Sequence, residues 1–290
     1  MGSKRLWPIR ADDRPTLASW PTLLYDWSEL PERFAPALRP YRDRGLPREQ
    51  VVYIPKIHQY AAGTEYLIAY LDDTVVILTG RDDGTVEETA LKPGEVTCLT
   101  YAISLLQCTI TVNYRKNNCQ RQVSFAYNKT KDHYLLPVMN LLLGLPRDAK
   151  PAVSHPDSAQ LRALYQRSYA MYNTAKLCYR LSPAISGSLF LQGKNYGPFR
   201  WHQPKPEYFL AWMDRGLVVI EKNFYVTSAA YLLWEQFRRG VIDEADFPSP
   251  GPRKRTALLL ERRFDPPLAI PLLPDQLQEA ERFLHAIPKR

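Results

Sequence analysis

The sequence predicts a mainly β, α+β protein built from two successive small sheet domains, each closed by a C-terminal helix and joined by a helical linker. Three observations carry this: an apolar stretch that recurs without a gap, strand-like segments punctuated by polar turns, and a helical segment closing each copy. Glu65-Tyr66-Leu67-Ile68-Ala69-Tyr70-Leu71-Asp72 recurs as Glu207-Tyr208-Phe209-Leu210-Ala211-Trp212-Met213-Asp214, and Val75-Val76-Ile77-Leu78 is answered by Leu217-Val218-Val219-Ile220. A duplicated unit constrains architecture more firmly than local propensity does.

Each recurring stretch reads as a hairpin, because β-prone residues flank only Asp72-Asp73 in one copy and Asp214-Arg215-Gly216 in the other. Side chains alternate across a strand, so Tyr66, Ile68 and Tyr70 share a face, as do Tyr208, Leu210 and Trp212. In the first copy, Glu95 to Tyr114 and Cys119 to Tyr127 supply further strands around the turn Arg115-Lys116-Asn117-Asn118. The copy closes with a helix near Asp132 to Leu143, where Pro137 is tolerated in the first turn. In the second copy, Asp275 is placed to cap a helix bearing Leu277, Ala280, Leu284 and Ile287 at helical spacing. Between hairpin and helix, Ala229 to Arg239 reads as helical and Gly240 to Pro252 as loop, so the second domain is expected to diverge from the first.

These readings divide the chain into an N-terminal arm (1–44), a first sheet domain (45–145), a linker (146–182) and a second, divergent domain (183–290). The arm is rich in proline and is expected to lie on the first domain as an extended segment with short helical turns and aromatic anchors at Trp7, Trp20, Tyr25, Trp27 and Phe34, disorder being the alternative. The linker carries one amphipathic helix from Leu161, with Leu164, Tyr165, Met171, Tyr172, Ala175, Cys178 and Tyr179 on its apolar stripe and Ser168 breaking it.

The 290 residues carry a formal charge of +8, which biases the chain toward phosphate-bearing partners. Its basic residues fall in short groups, Arg238-Arg239, Arg253-Lys254-Arg255 and Arg262-Arg263, each of which serves equally as a solvated face. The longest apolar run, Tyr134 to Leu145, is shorter than the ~20 residues a membrane-spanning helix needs. No secretory signal pattern is read at the amino terminus, and a cytoplasmic, optionally membrane-peripheral location is expected. Cys98, Cys108, Cys119 and Cys178 show no Cys-x-x-Cys spacing and read as buried thiols.

The sequence resembles the bacterial pleckstrin-homology-like domains, which include GRAM-related and YokE-like modules. The resemblance rests on Gly45-Leu46-Pro47-Arg48-Glu49-Gln50-Val51-Val52-Tyr53, the hairpin Tyr66 to Leu78, Gly94-Glu95-Val96-Thr97, Ser104-Leu105-Leu106 with Thr109-Ile110-Thr111-Val112, and Val123-Ser124-Phe125. It implies a tandem pair of small β barrels or sandwiches that bind proteins, lipids or oligomeric partners, and fold alone does not choose among these.

No phosphate loop, nucleophile elbow or His-Glu-x-x-His motif is present, and the five histidines are dispersed, so no enzyme, metal or cofactor is inferred. Lys194, Arg200 and Lys205, interleaved with aromatics before the second hairpin, form a candidate anion site. The reading placed first is a non-enzymatic interaction protein that binds a protein or peptide, or a second copy of itself, at strand edges or near a closing helix. An anionic membrane surface is placed second and nucleic acid third.

Overall fold

In the computed structural model, which describes residues 20–56, 64–151, 159–193, 206–248 and 252–288, the protein is mainly β with a few short helices. The chain divides into two compact units, formed by the described parts of Met1–Ala90 with Thr130–Leu135, and of Leu91–Lys129 with Leu136–Arg290.

The first unit holds an antiparallel meander of β1 (Thr22–Leu23), β2 (Val51–Ile54), β3 (Glu65–Leu71), β4 (Thr74–Gly80) and β5 (Val86–Leu91), with α1 (Ala35–Asp43) between β1 and β2. The described part of the arm lies on this sheet through short helical turns, as expected, and adds the nine-residue helix α1. Leu30, Phe34 and Leu38 pack into one apolar cluster with Leu67, Ala69, Val76 and Leu78, which takes these side chains out of water. Arg33 fixes the arm: it pairs with Glu65 and donates to the Arg81 carbonyl at 2.7 Å, while the Tyr53 hydroxyl donates to the other Glu65 oxygen at 2.6 Å.

The second unit begins with β6 (Val96–Ser104), β7 (Gln107–Lys116) and β8 (Cys119–Asn128), followed by α2 (Leu136–Leu142). Cys108, Ile110, Val112 and Tyr114 point inward from β7 and alternate with half-buried neighbours, as the sequence pattern predicts. Next come α3 (Ala159–Arg167) and α4 (Tyr169–Ala175). The single linker helix is in fact two. Ser168 takes an extended backbone and its hydroxyl accepts the Met171 N–H at 3.2 Å, so it ends one helix and caps the next. Among the cysteines, Cys98, Cys108 and Cys178 are buried, and burial pushes the Cys178 thiol up, but Cys119 is exposed.

The remaining strands are β9 (Gly187–Leu191), β10 (Glu207–Trp212), β11 (Gly216–Lys222), β12 (Thr227–Leu233), β13 (Phe237–Pro248), β14 (Pro252–Arg262) and β15 (Leu268–Pro271), before α5 (Leu277–Ala286). They form two further sheets, one in the order β8-β7-β6-β12-β11-β10-β9 and one in the order β13-β14-β15. None of the three sheets closes into a barrel. The expected helix at Ala229 to Arg239 is instead the end of β12, a turn and the start of β13, and the described part of the expected loop at Gly240 to Pro252 is strand. Ala229, Ala230, Leu232 and Leu233 favour a helix locally, but β12 lies between β11 and β6, and ladders on both sides override that preference.

The recurring stretches form the same hairpin in the same register. Glu65 pairs with Gly80 and Ala69 with Val76; their counterparts Glu207 and Ala211 pair with Lys222 and Val218. Along the chain each copy then gives four meandering strands (β2–β5, β9–β12), three more (β6–β8, β13–β15) and a helix (α2, α5). Both three-strand sets open on a register shift, at Val96/Cys98 in β6 and at Phe237/Arg239 in β13. The strands β9–β12, the β13–β15 sheet and α5 enclose one core that includes Leu210, Val219, Leu258, Ile270, Ala280 and Phe283.

Within this core region Glu221 is half-buried on β11, and desolvation raises its carboxyl above the ordinary value of 4.5. A carboxyl whose folded value is raised costs stability once it ionises, so the cost is absent below about pH 4.5 and grows as pH rises through the folded value. Glu221→Gln is expected to raise the melting temperature at pH 7 and to leave it unchanged at about pH 4. Parallel thermal scans of the two chains at both pH values check this.

Candidate functional site

The site lies where α5 packs over β13, the outer strand of the three-stranded sheet. A groove of about 580 Å3 opens there, walled by Trp234, Phe237 and Arg238 on the strand side and by Leu284, Ile287 and Pro288 on the helix side. Gly240 forms part of its floor. A Cβ at Gly240 would stand 2.2 Å from Leu284 Cδ2, so glycine lets α5 approach the strand backbone.

The wall is held by bonds within the unit. The Trp234 indole N–H is shared between the carbonyls of Met213 and Asp214, each at 2.9 Å, and its ring meets Phe237 edge-on at 5.7 Å. Arg239 grips Glu261 with two parallel bonds of 2.8 and 2.9 Å. The hydrogen bond from Arg239, together with the charges of Arg239 and Arg238, holds the Glu261 carboxyl below its usual range. With Arg263 also in the lining and Glu235 the acid among the lining residues, the groove combines a basic excess with apolar side chains.

The backbone beside the groove is an open edge. β13 pairs with β14 on one side, and among the described residues no strand pairs with its other side. Such an edge presents unpaired N–H and C=O groups and is a template for another extended segment. The molecule contains the same edge in its occupied form. In β6, which opens on the equivalent register shift at Thr97, Leu99 through Ile103 carry the strand β12 in antiparallel pairing. The corresponding positions after Arg238 are Gly240 through Glu244.

The sequence-predicted anion site does not enter this arrangement, because Lys194, Arg200 and Lys205 lie outside the described residues. Two of the basic groups read as solvated faces do enter it: Arg238-Arg239 and Arg263 line the groove. Leu284 and Ile287, expected only as part of the stripe of a closing helix, form its apolar helix-side wall. Among the described residues no three His, Cys, Asp or Glu side chains converge on a common point, and no helix is long and apolar enough to cross a membrane. No protein-family model matches the chain, and no curated protein matches it.

Proposed function

We propose that the protein is a non-enzymatic interaction module of two pleckstrin-homology-like copies, whose second copy binds an extended acidic peptide along β13. The repeated order of four strands, three strands and a helix, with a shared hairpin register, supports the family reading. The binding reading is carried by one observation: the edge that β12 fills on β6 stands open on β13, next to a groove. Main-chain bonds to Gly240–Glu244 would give affinity to any extended segment, and the lining adds selectivity. Leu284 and Ile287 suit an apolar side chain of the peptide, while Arg238 and Arg263 suit an acidic one.

Selection of the full chain against a phage-displayed library of random peptides tests this. Enriched sequences are expected to combine acidic residues with an aliphatic or aromatic one. Synthetic versions should bind the Arg238→Glu, Arg263→Glu double variant at least about tenfold more weakly, with a shallower salt dependence, since two attractive charges become repulsive. Peptides that bind the double variant as tightly as the original, or a selection that enriches nothing, would contradict the proposal.

A further inference from the structure

Four large apolar side chains stand largely exposed at one end of the seven-stranded sheet. Leu105 and Leu106 form the two-residue turn between β6 and β7 and are 89 and 65 % exposed; Phe224 and Tyr225 lie in the turn between β11 and β12 and are 77 and 74 % exposed. The two turns are neighbours. Thr227, at the start of β12, pairs with Ile103, near the end of β6, so the turns project from adjacent strands at a spacing of about 5 Å.

Neither turn is a loose loop. Asn223 accepts the N–H groups of Tyr225 and Val226 on its side-chain oxygen at 2.9 and 2.7 Å, and its own N–H donates to the Val226 carbonyl at 2.9 Å. The two rings that follow meet edge-on at 5.0 Å. On the other turn the Lys129 N–H donates to the Leu106 carbonyl at 2.7 Å. The apolar groups are thus held out by the backbone that carries them.

The choice of residue is itself informative. Leu105 has φ of 54°, in the left-handed region. The other non-glycine residues with positive φ among the described ones are Asp72, Asn117 and Asn118, all in hairpin turns and all of the types that tolerate it. Leucine gains nothing there from turn stability, and in water its side chain gains nothing from burial. An outlier of this kind points to a role outside the fold.

We propose that this double tip is a membrane-docking element that inserts its leucines and aromatics into the interface of an anionic bilayer. The occupant follows from the chemistry. The apolar groups crown two turns at the end of the sheet, so an apolar medium suits them better than a single protruding knob of a partner. Tyr and Phe suit the boundary between headgroups and acyl chains. Lys129 and Lys222 flank the turns; Glu207, the residue opposite Lys222, is engaged by the Ser168 hydroxyl at 3.2 Å. The chain as a whole is +8, and basic residues beside an inserted tip are drawn to anionic lipid.

Co-sedimentation of the full chain with vesicles tests this. The chain should pellet with phosphatidylcholine vesicles containing phosphatidylserine and much less with phosphatidylcholine alone. Leu105→Asn should weaken partitioning roughly tenfold while raising the melting temperature, because it removes apolar area and relieves the backbone together. Phe224→Ser should weaken it by a similar factor, and the two together should abolish it. Arg238→Glu, in the peptide groove, should weaken vesicle binding far less than the tip variants while it weakens peptide binding, which separates this proposal from the preceding one. The proposal is overturned if the chain stays in solution with both vesicle types, or if the tip variants pellet like the original. It is equally overturned if light scattering shows a dimer that the tip variants dissolve while no vesicle binding occurs, which would assign the tip to a second copy.

Discussion

Asp265→Ala is expected to destabilise the protein by about 3–5 kcal/mol, the cost of removing one partner from a buried ion pair. Asp265 lies in the turn between β14 and β15 with its side chain 1 % exposed, and Arg262, 11 % exposed, approaches it at 3.6 Å. Arg262 also donates from Nε to the Pro266 carbonyl at 2.8 Å, and Gln120 on β8 donates its amide N–H to the other Asp265 oxygen. The carboxylate therefore ties the turn of the three-stranded sheet to the seven-stranded one. Alanine would leave the Arg262 guanidinium buried without its counter-charge and Gln120 without its acceptor. Asp265→Asn keeps an acceptor for Gln120 but not the charge, and should fall between the two. Urea titrations of the three chains check the order. Since domains of ordinary stability hold about 5–15 kcal/mol, the alanine chain should lose a large share of its margin.

Gly216→Ala is expected to cost about 3 kcal/mol or more, at the upper end for an overpacked site. A Cβ at Gly216 would stand 2.1 Å from the Leu232 carbonyl oxygen and 3.0 Å from the Leu233 Cα, and both are backbone atoms in the β11–β12 ladder. A side chain could rotate away, but a paired strand cannot move without breaking its bonds. Gly216 also accepts the Met213 N–H at 2.9 Å, which closes the hairpin turn. The equivalent position in the first copy is Thr74, opposite Leu71, so this place in the hairpin accepts a side chain and the constraint at Gly216 comes from the Leu232 and Leu233 backbone beside it. Gly240→Ala offers the contrast. There the obstructing atom is the end of the Leu284 side chain, which can turn, so the loss should be smaller.

The parts of the fold legible in the sequence are those buried enough to be apolar throughout. The two hairpins repeat visibly because Leu67–Tyr70 and Tyr208–Ala211 are buried on consecutive positions, which leaves little freedom to diverge. The alternation in β7 was legible for the related reason that one of its faces is buried. β13 was not legible, because an edge strand beside solvent carries Arg238, Arg239, Asp243 and Glu244, and its charge resembles that of a loop. β12 was misleading in the opposite sense: its alanines and leucines are common in helices, and only its two neighbouring strands fix it as a strand. The groove escaped sequence reading because it joins residues near 238 to residues near 284, and no local pattern links a basic pair to the outer stripe of a helix. Thr97 aligns with Arg238 only once the register shifts of β6 and β13 are known, so the sequence alone does not place this strand.

Amide hydrogen exchange on the full chain, with and without a selected acidic peptide, asks most directly whether β13 takes an added strand. Main-chain bonding across an antiparallel edge engages alternate residues, so protection is expected to rise at every second amide within Gly240–Glu244, accompanied by shifts of the Leu284 and Ile287 methyl groups. Bound peptide that leaves those amides exchanging at their original rate, with protection appearing at another edge such as β8 or β15, would show that the open side of β13 is not where the partner joins.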